Sequence, residues 1–313
     1  MSISEDDLLD LHGKVALVTG GNTGIGYATI QMLARKGAKV YMAARDEGRA
    51  IEAIKKLEAE NINDGSVHWL KLDLSDPRLT VGAAKELMEK EERLDIIVNN
   101  AARALPGPYQ LNKDGLLDIM VTNHISHFAL TQTLLPLLEE TSKRDGADVR
   151  IVNVSSSAHG MVQPSSFTSL DTFNKDYGIS VTNSLRTYGN SKLANVLYMK
   201  ELQRRLKEKS IAITCISAHP GAIRTIGSDG FSELIPIIGG LLKRFYFKPP
   251  RMGAMTVAFA AAGAKVAEER SKYEGAYLVP IAKLATPSPS AQDQRLQREL
   301  FEATEKIIAD LSS

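Results

Sequence analysis

The chain of 313 residues has one cysteine and one tryptophan, only 6% aromatic residues, and no excess of either charge: 38 Lys and Arg stand against 37 Asp and Glu. A lone cysteine, Cys215, excludes an intrachain disulfide. Set in the apolar run 211–216, it reads as a buried strand residue, and a reducing compartment suits it. With a net charge of +1 there is no electrostatic reason to expect nucleic acid or an anionic membrane as the main partner. No cluster of Cys and His at ligand spacing points to a metal. The most apolar later stretch, 234–242, is too short to span a bilayer and contains Pro236, Gly239 and Gly240, so no integral membrane segment is expected. The first residues, Met1-Ser-Ile-Ser-Glu-Asp-Asp7, are acidic where a signal peptide is basic and then apolar, which makes the cytoplasm the expected location.

What is present is a rhythm. Strand-like runs at 14–18, 39–44, 67–72, 95–99, 149–154, 211–216 and 276–280 alternate with windows of helical spacing at 47–60, 77–92, 116–138 and 188–207. Such alternation predicts an α/β fold: a doubly wound, mostly parallel seven-stranded sheet with helices on both faces. Gly/Ser linkers, low-complexity tracts and internal repeats are lacking, so residues 1–313 read as a single Rossmann-type domain. Two segments break the rhythm, polar 157–185 and apolar 227–250. Both follow strands at the edge where open α/β sheets bind ligands, which makes them candidate walls or lids of a substrate pocket.

Directly after the first strand stands Thr19-Gly20-Gly21-Asn22-Thr23-Gly24-Ile25-Gly26. Between a buried strand and a helix, Gly20 permits a tight turn, Gly24 lets the backbone approach a ligand, and Gly26 lets the new helix pack close. The helix start then offers unpaired N–H groups and a positive dipole end to a pyrophosphate. At the end of the second strand, Ala44 stands where a ribose-binding acid is common, and Arg45 follows. A guanidinium there pairs with a ribose 2′-phosphate, which favours NADP(H) over NAD(H). The other reading makes Arg45 a solvated charge and gives the ribose to Asp46. Asp73 and Leu74 after the third strand, and Asn100 and Ala101 after the fourth, lie where an adenosine would cross the sheet edge.

Tyr188-Gly-Asn-Ser-Lys192 places a phenol and an ammonium four residues apart, on one face of a helix. A lysine beside a phenol lowers its pKa towards neutrality, and such a tyrosine exchanges a proton with an alcohol or carbonyl while hydride moves on a nicotinamide. Tyr109 and Lys113 share this spacing but sit beside Pro106 and Pro108 in loop-like sequence. The fifth strand ends in Ser155-Ser156-Ser157, any of which can hold a substrate oxygen against Tyr188; serines there are equally simple turn formers.

In this order, these motifs resemble the short-chain dehydrogenase/reductase family over nearly the whole chain. The glycine run is similar to its TGxxxGIG turn, Asn99-Asn-Ala-Ala102 to its NNAG, and Tyr188 to Lys192 to its YxxxK. Asn123-His-Ile-Ser-His-Phe128 resembles the segment holding its active-site asparagine, and Pro220-Gly221 with Thr225 its PG segment. The resemblance implies Tyr188 as proton donor and acceptor, Lys192 as the residue that tunes it and holds the nicotinamide ribose, and Ser156 as the substrate-orienting serine. It makes Asn123 the holder of a relay water, and lines the nicotinamide end with Ile223 and Thr225. Ala102 departs from the pattern, replacing its glycine. Within the family, Ala44-Arg-Asp46, Ser156-Ser-Ala-His159 and His219-Pro-Gly221 resemble the retinol-dehydrogenase-like branch and its fungal biosynthetic members. That branch implies NADP(H), a lipophilic alcohol, aldehyde or ketone as substrate, and a place in secondary metabolism. The family also implies a homodimer or homotetramer built through helices 116–138 and 193–206. Two rival functions stay open: reduction of a C=C bond on the same scaffold, and a non-catalytic NADP(H)-sensing protein.

Overall fold

The computed structural model describes residues 3–62, 64–103, 109–178, 180–221 and 249–312. Among them, the strands are β1 Val15–Thr19, β2 Lys39–Ala44, β3 Ser66–Lys71, β4 Ile96–Asn99, β5 Val149–Val154, β6 Ile213–Ala218, β7 Tyr277–Val279 and β8 Lys283–Ala285. They form one sheet in the order β3-β2-β1-β4-β5-β6-β7-β8. All neighbours pair in parallel except β8, which runs antiparallel to β7. The expected seven strands are therefore one short. β8 is three residues long and largely exposed, so it has no alternating pattern to read, and only its pairing with β7 makes it a strand.

The longer helices are α1 Gly24–Arg35, α2 Glu47–Ala59, α3 Pro77–Lys90, α4 Ser126–Ser142, α5 Val181–Glu208, α6 Pro250–Ala262 and α7 Gln294–Ser312. Successive strand residues face opposite ways. Val15 and Leu17 enter the core shared with α3, α4, α5 and α7, while Ala16 and Val18 enter the core shared with α1, α2 and α6. Side chains start several helices: Asp46 accepts from Arg49 N at 2.9 Å, Asp76 from Arg78 N at 2.9 Å, and Ser180 from Asn183 N at 3.2 Å. The chain steps from β1 outward to β2 and β3, then returns to place β4 on the other side of β1. That reversal opens a crevice at the carboxyl ends of β1 and β4.

α7 lies across α4 and α5. Its Phe301 ring is 5.0 Å from Phe128 and 5.9 Å from Tyr198 between centroids, with the Arg205 guanidinium 3.8 Å above it. Thr304 meets His124 Nε2 at 3.0 Å. The surface bearing Phe128 and Tyr198, on the helices that the resemblance assigns to subunit contact, is thus buried within the chain itself. Among the described residues, no helix is long and apolar enough to cross a membrane.

Candidate active site

The glycine turn leaves β1 at the crevice and runs into α1. Gly20 and Gly24 hold φ of 64° and 60°, the left-handed region that side chains resist. A Cβ on Gly26 would lie 2.4 Å from Gly20 O and 2.6 Å from Asn100 Nδ2, so only glycine lets α1 start this close to β1 and β4. Thr23 makes no side-chain cap, and the first turn of α1 carries no acid. Its amides and positive end therefore remain open to an anion, and the residues present fit a dinucleotide pyrophosphate.

Beside this turn, Asn100 Nδ2 donates to Thr19 O at 2.9 Å, and the Asn100 and Ala101 amides both donate to Thr19 Oγ1 at 2.9 Å. Leu74 is buried, with its carbonyl accepting from Ser126 Oγ at 2.9 Å. Asp73 is partly exposed and gives Oδ1 to Ser75 N within its own turn. Arg45 is exposed at the end of β2 and has no ion pair or hydrogen bond to any described residue, whereas Asp46 is engaged as the α2 cap and pairs with Arg49. Pro220 is buried and Gly221 has a φ of 91° at the end of β6. Ile223 and Thr225 lie outside the described residues, as does nearly all of 227–250.

Ser155, Ser156, Tyr188 and Lys192 converge where β5 ends against α5. Ser155 is not available to a substrate: its hydroxyl is buried and donates to Lys192 O at 2.9 Å. Ser157 is exposed. Ser156 is half-buried, accepts from Ala158 N at 3.2 Å, and is the serine whose side chain acts on the Tyr188 phenol, pulling its pKa down. Lys192 Nζ donates to Val154 O at 2.8 Å and lies 5.6 Å from the centre of the Tyr188 ring. Burial pushes the Tyr188 phenol up to about 12, against the pull of Ser156, and drives the Lys192 ammonium down to about 7. A lysine one turn away is expected to lower the Tyr188 pKa; here burial of the phenol dominates and raises it instead.

Tyr188 also lies deeper in its helix than the sequence suggests. α5 starts at Val181, so Tyr188 is two turns in. A Cβ on Gly189 would sit 2.4 Å from Ala158 O, so what approaches this small residue is the turn 157–161 that carries Ser156 into place. Asn123 sits in a π turn, Val121–Ile125, that leads into α4. Its side chain donates to Ser191 Oγ at 2.9 Å and Arg103 O at 3.0 Å, and accepts from Arg103 N at 2.8 Å. The rival pair is remote: Tyr109 is exposed and donates to Asn174 O, and Lys113 meets Asp76.

Within 157–185, Phe167 and Phe173 are fully buried, and Asn174 accepts from Leu117 N and donates to Gly115 O. His159 braces this segment. Nδ1 donates to Ser156 O at 2.7 Å and Nε2 accepts from Ser288 N at 3.0 Å, so neither nitrogen is left for a substrate. Two polar residues that the sequence reading left out also join the site, Thr19 and Ser191. Each is a small hydroxyl within a motif already noted, but only the fold gives them partners.

A family model described as short chain dehydrogenase matches residues 14–168. A short-chain dehydrogenase/reductase of Armillaria gallica is 45% identical over 97% of this chain and 95% of its own. Retinol dehydrogenase 14 of Mus musculus is 33% identical over 96% of this chain and 87% of its own. Among solved structures, a protein from Mycobacterium paratuberculosis superposes with a TM-score of 0.73 at 26% identity, covering 99% and 98% of the two chains. With the glycine turn, the Ser156–Tyr188–Lys192 cluster and these relatives together, the chain belongs to the short-chain dehydrogenase/reductase family, the NAD(P)-dependent oxidoreductases that act on CH–OH groups.

Proposed function

We propose that residues 1–313 form one NADP(H)-dependent catalytic domain that interconverts a hydroxyl and a carbonyl on a lipophilic small molecule. The observation that carries this reading is the convergence of Ser156, Tyr188 and Lys192 at the carboxyl end of β5, with Lys192 Nζ on Val154 O and 5.6 Å from the centre of the Tyr188 ring. The glycine turn 20–26, with Asn22, Thr23 and Ile25, holds the pyrophosphate, and Asp73, Leu74, Asn100 and Ala101 line the adenosine path. Arg45, unpaired among the described residues beside a capped Asp46, supports a 2′-phosphate and hence NADP(H). A bound nicotinamide supplies or takes the hydride.

The chain's own residues handle the oxygen and its proton. Ser156 orients the substrate oxygen by hydrogen bonding. Tyr188, protonated at neutral pH by virtue of its raised pKa, delivers its proton to a carbonyl oxygen in the reductive direction. Lys192 and Asn123 stand behind it to return that proton, and Lys192 also holds the ribose. Resemblance to fungal biosynthetic members supports secondary metabolism as the setting.

The test is Tyr188→Phe. NADPH binding should stay within about twofold, while turnover of a panel of lipophilic ketones and aldehydes falls by about 10²–10⁴. Full residual activity sinks the mechanism. Product mass and structure separate carbonyl from C=C reduction, and no turnover of any panel member by the unaltered chain favours the sensing protein.

A further inference from the structure

We propose that His127 is a positioning residue that couples the cofactor turn to the proton-transfer helix, one neutral imidazole holding Thr19 of β1 at one nitrogen and the Asn123 carbonyl of the π turn at the other. The inference rests on the reading of the glycine turn and Tyr188 given above. His127, in the first turn of α4, is 1% exposed. Its Nε2 lies 2.8 Å from Thr19 Oγ1, and its Nδ1 lies 3.3 Å from Asn123 O.

Hydrogen-bond accounting assigns the proton. A threonine hydroxyl has one hydrogen and two lone pairs. Both lone pairs of Thr19 Oγ1 are taken by the Asn100 and Ala101 amides. Its hydrogen must therefore point to His127, and Nε2 must be bare. The single ring proton then sits on Nδ1 and faces Asn123 O, which can only accept. Burial, aided by the charge of Lys192 and opposed by the bond to Asn123, drives the His127 pKa down to about 3, so the ring stays neutral.

The run of bonds continues on both sides. Asn123 Nδ2 donates to Ser191 Oγ at 2.9 Å, and Ser191 Oγ donates to Tyr188 O at 2.7 Å. Two runs of bonds thus meet at Asn123: one from the amides of Asn100 and Ala101 through Thr19 and His127 to its backbone carbonyl, the other from its side-chain amide through Ser191 to the backbone of Tyr188. A ligand pressing on the glycine turn or on Asn100 and Ala101 acts on the same Thr19 that orients His127. A ring present only to fill space would need neither nitrogen.

Two conservative variants of the full chain separate the halves. His127→Gln carries its polar end near the former Nε2 and keeps the Thr19 contact; His127→Asn carries it near Nδ1 and keeps the Asn123 contact. The expected result is crossed. His127→Gln should bind NADPH within about twofold of the unaltered protein but lose about tenfold in kcat, and His127→Asn should lose about tenfold in NADPH affinity with kcat at saturating cofactor nearly kept. His127→Phe should lose both. Equal effects of Asn and Gln on both measurements, or unaltered values for Phe, overturn the proposal. Should the variants fail to fold, ¹⁵N-histidine NMR of the unaltered protein decides. His127 should show a protonated Nδ1 and a bare Nε2 at pH 7, and the Nε2 resonance should move on adding NADPH. The opposite tautomer, or no response to NADPH, overturns it. If the unaltered chain binds no NADPH, the cofactor reading fails, while the tautomer measurement still stands by itself.

Discussion

Single residues carry the sharpest tests of the proposed cofactor preference and of the placement of Ser156. Arg45 is exposed and makes no ion pair or hydrogen bond to any described residue, and Asp46 has given an oxygen to the α2 cap. Arg45→Ala should therefore raise the NADPH Kd by about tenfold or more and leave the NADH Kd within about twofold, measured by titration of the nicotinamide fluorescence. Equal losses would return Arg45 to the role of a solvated charge. Gly189 is as specific in a different way. With Ala158 O in the space its Cβ would need, Gly189→Ala must push the 157–161 turn away from α5. The expected cost is about 1–3 kcal/mol in urea unfolding, with a fall in kcat/KM as Ser156 moves off Tyr188. A variant with unchanged stability and activity would show that the turn is free to adjust.

At the scale of elements, most boundaries follow from local chemistry. Asp46, Asp76 and Ser180 cap helices because a short polar side chain satisfies an otherwise orphaned amide. The start of α5 escapes a reading that begins from the Tyr188 spacing, because its first two turns are mostly half-buried polar residues with no apolar stripe. β8 escapes because an edge strand of three residues is made by its partner. α7 shows its own amphipathic face, but not which surface that face covers. Phe301 is its anchor, buried against Phe128 and Tyr198 beneath Arg205. Phe301→Ala should cost about 3–5 kcal/mol, read from the urea midpoint at constant m-value, because the rings around it cannot close the cavity. A loss below about 1 kcal/mol would mean that α7 is only loosely held.

For the whole molecule, the histidines set the response to acid. Burial lowers His124 and His127 to about 3 and His219 to about 4, below the ordinary value near 6.5. Above pH 6.5 these rings are neutral in both the folded and unfolded chain. As pH falls through 6.5, the unfolded chain takes up protons that the fold refuses, until the folded values are reached. Stability therefore falls with pH from about 6.5 down to about 4 for His219 and about 3 for His124 and His127, by at most roughly 1.4 kcal/mol per pH unit for each ring. A urea midpoint that drops between pH 7 and pH 5 is the expected outcome. A flat profile would show that water reaches these rings.

The sequence by itself determined the parallel α/β rhythm, the glycine turn and the motif residues, because each is a local matter of periodicity, backbone freedom or spacing along a helix. The residue pattern alone left three serines level beside Tyr188, and the family resemblance pointed to Ser156; the tertiary structure adds that Ser155 turns inward to Lys192 O. The direction of the Tyr188 pKa was likewise a matter for the fold. Spacing puts Lys192 beside Tyr188, but burial of the phenol sets the direction of its shift. The seating of α7 on α4 and α5, and the bridge from Thr19 through His127 to Asn123, join residues up to 180 positions apart. Such contacts depend on the packing of distant surfaces, and no local pattern in the chain encodes them.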